Sequence, residues 1–192
     1  NGSYYTNVSE TDFDVLQFGE GISKDNVSIE YDSNQHLYFV MKETGEKVQV
    51  QYWMYGDEYQ LEEVKFADGT TLTKEEINKL ATMKGTENND NLYGLYSVND
   101  TIFGFDGNDR IYGYSGDDVL VGGKGDDYLE GGSGNDTIIY NLGDGNDTIY
   151  NSYSYYNENN TDIDVLEFGE GISKDNVSIE YDSSNLYFVM KE

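Results

Sequence analysis

The chain has 192 residues, with 38 Asp or Glu against 11 Lys or Arg and a net charge of −27. That excess of negative charge excludes nucleic acid and anionic membrane surfaces as partners. It has no Cys, hence no disulfide framework, and no stretch reads as a transmembrane run or a signal peptide, so no membrane insertion is expected.

In chain order, Asn1–Thr11 is a leader rich in Tyr and Asn, and from Asp12 the pattern turns to β. Asp14–Phe18, Val27–Tyr31, Leu37–Met41, Lys47–Met54 and Leu61–Phe66 are short β-branched and aromatic runs. Turn residues separate them at Gly19–Gly21, Asp32–Gln35, Thr44–Gly45, Gly56–Asp57 and Asp68–Gly69. Thr73-Lys-Glu-Glu76 is a capping box ahead of Ile77 and Leu80, which predicts one short helix over Lys74–Thr82. Ala81–Lys84 then reads as a linker. Residues 1–82 are therefore expected to be a β-rich flanking region with one helix, serving as the cap that the terminal coil of a solenoid needs. Core and edge packing is the expected fate of its aromatics, a carbohydrate platform of Tyr52, Trp53, Tyr55, Tyr153, Tyr155 and Tyr156 being the alternative. The single His, His36, lies in a loop and carries no expected role.

From Gly85 to Tyr150 the chain repeats. Its middle reads Gly104-Phe-Asp-Gly-Asn-Asp109-Arg-Ile111-Tyr, Gly113-Tyr-Ser-Gly-Asp-Asp118-Val-Leu120-Val, Gly122-Gly-Lys-Gly-Asp-Asp127-Tyr-Leu129-Glu, Gly131-Gly-Ser-Gly-Asn-Asp136-Thr-Ile138-Ile. The sixth-place aspartates Asp90, Asp100, Asp109, Asp118, Asp127, Asp136 and Asp147 follow one another at spacings of 10, 9, 9, 9, 9 and 11. Two places after each stands an aliphatic residue: Leu92, Ile102, Ile111, Leu120, Leu129, Ile138 and Ile149.

Glycines in each unit permit positive φ, so the chain can turn tightly and aim carbonyl oxygens inward. The aliphatic residue then opens a short strand and points into a core. Nine residues make one turn and one strand, so two units close a coil of eighteen, and the next coil stacks at about 4.8 Å in parallel pairing. Asp109 then lies over Asp127, and Asp118 over Asp136, along two opposite edges. The expected fold is all-β: a parallel β-roll over 83–150, preceded by the flanking region.

Stacked carboxylates at about 4.8 Å repel by ~1 kcal/mol in water and ~3.5 kcal/mol at an effective dielectric of 20. From Gly85 to Tyr150 there are 13 acidic and 2 basic residues, a net of −11, and so acidic a Gly-rich segment cannot stay folded without a counter-ion. Calcium suits the arrangement, because it takes six to eight hard oxygens and tolerates irregular geometry. Zinc, copper and iron lack soft ligands here, and magnesium prefers to keep its waters.

Asp12–Asp32 returns almost unchanged as Asp162–Asp182, and Leu37–Glu43 returns as Leu186–Glu192. Residues 151–192 are thus expected to open a second copy of the unit, cut from a tandem array in which neighbouring repeats are partners.

Gly104–Ile139 resembles the calcium-binding block of the RTX (repeats-in-toxin) haemolysin-type proteins. Phe66–Thr73, Tyr140–Ile149 and Asp164–Ile172 resemble the flanking domain of such blocks. The resemblance implies a large secreted bacterial protein, exported unfolded by a type I system to the exterior or cell surface, whose modules fold on meeting millimolar calcium. It also implies the ligand sets, with three to five ions in all. The carbonyls of Phe105 and Gly107 and the Asp109 side chain would face Gly122, Lys124 and Asp127. Tyr114, Gly116 and Asp118 would face Gly131, Ser133 and Asp136, and Gly123, Gly125 and Asp127 would face Leu142, Asp144 and Asp147. Outer sites would pair Asp90 with Gly104, Asp106 and Asp109, and Asp100 with Gly113, Ser115 and Asp118. Thr86 and Asn88 replace glycines in the first of these turns, and the second carries an extra residue.

The function expected is a calcium-dependent structural module. The alternative is an adhesive module contacting a host glycan or protein. No nucleophile and base constellation stands out from the carboxylates, so no catalysis is expected.

Overall fold

The computed structural model describes residues 13–32, 34, 36–53, 59–96, 98–151 and 162–191. The chain divides into two compact units, the first ending at Met83 and the second starting at Lys84.

The first unit holds β1 (Val15–Gln17), a 3-10 turn (Lys24–Asn26), β2 (Val27–Tyr31), β3 (Leu37–Met41), β4 (Lys47–Val50), β5 (Glu63–Lys65), β6 (Thr71–Thr73), α1 (Lys74–Leu80) and β7 (Thr82–Lys84). Strand β1 runs parallel to β5, which forms a hairpin with β6, while β2, β3 and β4 are antiparallel with β7 beside β2. Alternation decides which faces turn inward: Val27, Ile29 and Tyr31 are buried on one side of β2, as are Leu37 and Phe39 on β3. Phe18 stacks on Phe66 and meets Phe39 edge-on, at ring separations of 5.4 and 5.7 Å. Helix α1 buries Ile77, and the capping box forms as expected: Thr73 Oγ1 accepts from Glu76 N and Glu76 Oε2 accepts from Thr73 N.

Two expected boundaries move. The fourth strand ends at Val50 instead of running to Met54, which lies outside the described residues. Tyr52 takes φ 61, a left-handed turn incompatible with a continuing strand, and its N–H donates to His36 Nδ1. The helix stops at Leu80, because Ala81 adopts ψ 136 and Thr82 already begins β7. Trp53 is wholly buried and its indole N–H donates to Asn78 Oδ1 at 2.7 Å, so it belongs to the core and not to a sugar platform. Tyr55, Tyr153, Tyr155 and Tyr156 lie outside the described residues.

The second unit contains β8 (Asn91–Tyr93), β9 (Thr101–Asp106), β10 (Arg110–Ser115), β11 (Val119–Lys124), β12 (Tyr128–Ser133), β13 (Thr137–Tyr140), β14 (Thr148–Tyr150), β15 (Val165–Phe168), β16 (Val177–Tyr181) and β17 (Leu186–Met190). Alternate strands form two parallel sheets, β8-β10-β12-β14 and β9-β11-β13-β15, which is the expected β-roll. Ile111 lies beside Leu92 and Leu129, and Leu120 beside Ile102 and Ile138. These six aliphatics are all buried. Ile149, on the edge strand β14, departs from the expected pattern at 37% exposed. Outside the first sheet, Tyr93 stacks on Tyr112 and Tyr128 on Tyr150. Strands β16 and β17 form a hairpin with the pairing of β2 and β3: Ile179 opposes Phe188 as Ile29 opposes Phe39.

Candidate metal centre

Stacking the units places the sixth-place aspartates in two columns joined by hydrogen bonds. In the first, Asp90 N donates to Asp109 Oδ1 at 2.8 Å, Asp109 N to Asp127 Oδ1 at 2.8 Å, and Asp127 N to Asp147 Oδ1 at 3.1 Å. In the second, Asp100 N donates to Asp118 Oδ1 at 2.8 Å and Asp118 N to Asp136 Oδ1 at 3.0 Å. Asp109, Asp118, Asp127, Asp136 and Asp147 thus each spend one oxygen on the preceding coil.

The second oxygen distinguishes the inner turns from the outer ones. In Asp109, Asp118, Asp127 and Asp136 it is buried and has no hydrogen-bond partner. In Asp90 it accepts from Thr86 N and Oγ1, and in Asp100 from Leu95 N. Where the sequence departs from the glycine pattern, the turn's own donors satisfy its aspartate. Four orphaned anionic oxygens in the interior demand a cation, since a buried unpaired charge costs several kcal/mol.

Backbone oxygens meet them. A Cβ placed on Gly104 would collide with both Asp109 Oδ2 and the Gly122 carbonyl, and one on Gly113 with Asp118 Oδ2 and the Gly131 carbonyl, which lies 2.6 Å away. The carbonyls of Phe105 and Gly107 press on the places where Gly123 and Gly125 lack side chains, and those of Tyr114 and Gly116 do the same at Gly132 and Gly134. Phe105 and Tyr114 hold φ 78 and 76 to achieve this, values that residues other than Gly seldom adopt. Among the described residues no three acidic or histidine side chains converge, so a cation must take most of its oxygens from the backbone. That donor set suits calcium.

The third-place residues complete the turns through their main chain. Gly107 N donates to the Lys124 carbonyl and Gly116 N to that of Ser133, while the Asp106 and Lys124 side chains pair at 3.1 Å on the outside. Ser115 bridges Tyr96. The last turn is looser: Gly125 N reaches the Asp144 carbonyl at 2.5 Å, and the Gly125 carbonyl presses on Gly145, yet nothing approaches Gly143. Leu142 is exposed, and Asp144 Oδ2 is occupied by Asn141 N.

Burial raises the carboxyls of Asp109, Asp118, Asp127, Asp136 and Asp147, the backbone N–H that each accepts lowers them in part, and nearby carboxylates raise them further. Asp118 is pushed up to about 7, and Asp127 and Asp147 to about 6. Asp109 and Asp136 move in the same direction.

Sequence reasoning missed two elements. Fifth-place side chains clamp coils in the opposite sense: Asn108 N donates to Asn89 Oδ1, Asp126 N to Asn108 Oδ1, Asp117 N to Asn99 Oδ1, and Asn135 N to Asp117 Oδ1. The signal was present, since every fifth place is Asn or Asp. The other is Asp164, which accepts from Asp136 N at 3.0 Å. Its spacing of 28 breaks the period, but Asp164-Val-Leu166 repeats Asp118-Val-Leu120.

The geometry defines a calcium-binding structural repeat module built as a parallel β-roll. Comparison with protein families agrees: residues 84–120, 103–138 and 112–149 match the RTX calcium-binding nonapeptide repeat, and residues 36–76 match the haemolysin-type calcium binding protein related domain. The chain thus carries RTX haemolysin-type calcium-binding repeats together with the related flanking domain. No match was found among curated proteins. The matched repeat family is structural, and no enzymatic family is indicated. Among the described residues no helix is long and apolar enough to cross a membrane.

Proposed function

We propose that the roll is a folding switch: it stays open at low calcium and closes when calcium binds between the inner turns, as in a module exported unfolded from a bacterial cell and completed outside it. The four buried, unpartnered Oδ2 atoms carry this reading. Asp109 with Asp127 and Asp118 with Asp136 hold the strongest sites, together with the carbonyls of Phe105, Gly107 and Gly122 in one case and Tyr114, Gly116 and Gly131 in the other. Asp127 with Asp147 holds a third, weaker site. The outer positions at Asp90 and Asp100 contribute least, because their carboxylates already have donors. Extracellular calcium modules work at about 10⁻⁴ to 10⁻³ M. Isothermal titration of the full chain with calcium, followed by circular dichroism, tests the reading. Three ions or more with a gain of β signal is the expected result, and a spectrum indifferent to calcium and chelator would refute it. In the cell the module would serve as a secreted, calcium-rigidified spacer among tandem copies, with 1–82 as flank, 83–150 as roll and 151–192 opening the next copy.

A second reading, glycan adhesion, draws on the exposed Tyr93, Tyr96 and Tyr150 outside the first sheet. A blank glycan array with calcium-loaded protein would remove it.

A further inference from the structure

We propose that the calcium ladder crosses the boundary between copies, with Asp164 as a ligand outside the nonapeptide repeats that ties the opening strand of the next copy to the roll. The inference rests on the calcium reading above.

Three observations converge on the 162–165 segment. First, Asp136 is 1% exposed and its Oδ2 has no partner, while its N–H is given to Asp164 Oδ1, as each inner aspartate gives its own to the aspartate one coil on. Second, the fifth-place clamp continues through the same segment: Ile163 N donates to Asn135 Oδ1 at 3.0 Å. Third, Val165 N donates to the Asp136 carbonyl, and β15 continues the sheet in register, with Ile138 beside Leu166. The segment therefore occupies the place of a further coil, although it has no glycine at the turn and stands 28 residues from its predecessor instead of 18.

The missing glycines have a substitute. In the inner coils the fourth-place N–H donates to a third-place carbonyl, as Gly116 N does to Ser133. At the junction Gly134 N donates instead to Asp162 Oδ2 at 3.1 Å, so Asp162 acts as a positioning residue that sets the segment at the height of a coil. Asp136 and Asp164 then supply the carboxylates of the rung, and the second- and fourth-place carbonyls of Gly132 and Gly134 are its backbone donors by the register of the repeat. Because Asp162–Asp182 duplicates Asp12–Asp32, Asp164 is the counterpart of Asp14. Calcium bound there couples the folding of one copy to the docking of the next.

Hydrogen exchange of the full chain with and without calcium tests this. Calcium is expected to protect the amides of Val165–Phe168 together with those of Val119–Lys124. Asp164→Asn keeps an oxygen to accept the Asp136 N–H but removes the charge. It should lose one bound ion by titration and slow protection of Val165–Phe168 by tenfold or more in calcium requirement, leaving Val119–Lys124 unchanged. Asp147→Asn, at the end of the other column, should leave Val165–Phe168 protected. Protection of Val165–Phe168 that is the same in calcium and in chelator, while Val119–Lys124 responds, would overturn the junction in the wild-type chain without recourse to a variant. An Asp164→Asn chain with the wild-type ion count would do so as well. If neither segment responds to calcium, it is the underlying calcium reading that falls.

Discussion

The flanking unit and the roll are both made of short strands, but opposite chemistry holds them. The flank buries Trp53, Phe39, Leu37, Leu72 and Ile77 almost completely, with the indole hydrogen bond satisfied. Each inner unit of the roll has one buried aliphatic, Ile111, Leu120, Leu129 or Ile138, and, beside it, columns of buried carboxylates. Hydrophobic burial gives the first unit its own source of stability. On the proposed reading the second trades that for a site whose free energy comes from outside the chain, which would make folding conditional on an ion.

The largest test of that contrast is to remove calcium and observe each unit separately. Trp53 is the only Trp and is buried in the flank, so its fluorescence reports that unit alone. Chelation is expected to abolish most of the β signal of the roll while the emission maximum of Trp53 stays where it is. A red shift of Trp53 in parallel with the loss of β signal would show that the flank has no independent stability.

Ile77→Ala is the reciprocal experiment. Ile77 is fully buried on α1, and truncating such a side chain costs about 2–5 kcal/mol. Thermal unfolding followed at Trp53 should move to lower temperature with or without calcium, and calcium titration of the roll should be unaffected.

Protons should act on the roll with a sign that depends on calcium. Asp118 is raised to about 7 and Asp127 and Asp147 to about 6, whereas an unfolded Asp titrates at ~3.9. In that window the folded roll binds more protons than the unfolded chain, so calcium-free stability falls as pH rises from about 4 through 7. Metal-free protein at pH 5 should therefore show more β structure than at pH 8. With calcium present the order reverses, because protons compete with the ion for the same oxygens. Equal circular dichroism at both pH values without calcium would mean that the carboxylates are not confined as the columns require.

Much of this was legible in the sequence because the period carries the geometry. A nine-residue spacing with Asp at place six and an aliphatic at place eight leaves little freedom for which residues stack, and the columns follow from it. What escaped depended on neighbours. The hairpin Val27–Met41 recurs as Val177–Met190 with the same pairing, yet Ile29 is 6% exposed and Ile179 is 62% exposed. Local sequence determines register, whereas burial requires partners that the hairpin itself does not encode. The same limit hid Asp164, whose motif was visible but whose distance from Asp136 was not that of a coil. The end of the fourth strand was lost differently: Tyr52 suits a strand by propensity, and only the turn by which the chain passes it into Trp53 and the core overrides that.

The smallest expected effect is at the start of α1. Thr73 Oγ1 accepts from Glu76 N at 3.3 Å, and Glu76 Oε2 accepts from Thr73 N at 2.9 Å, which satisfies two donors at the helix terminus. Thr73→Ala removes one bond and leaves the other, at a cost of about 1 kcal/mol. Because the helix has only seven residues and is held by Ile77, that cost should appear as a modest fall in the midpoint read at Trp53 and not as loss of the unit. The same shift in calcium and in chelator is expected, since nothing in the cap involves an ion. A shift that grew when calcium was withdrawn would mean that the flank draws part of its stability from the roll, and the contrast between an apolar unit and an ion-dependent one would have to be redrawn.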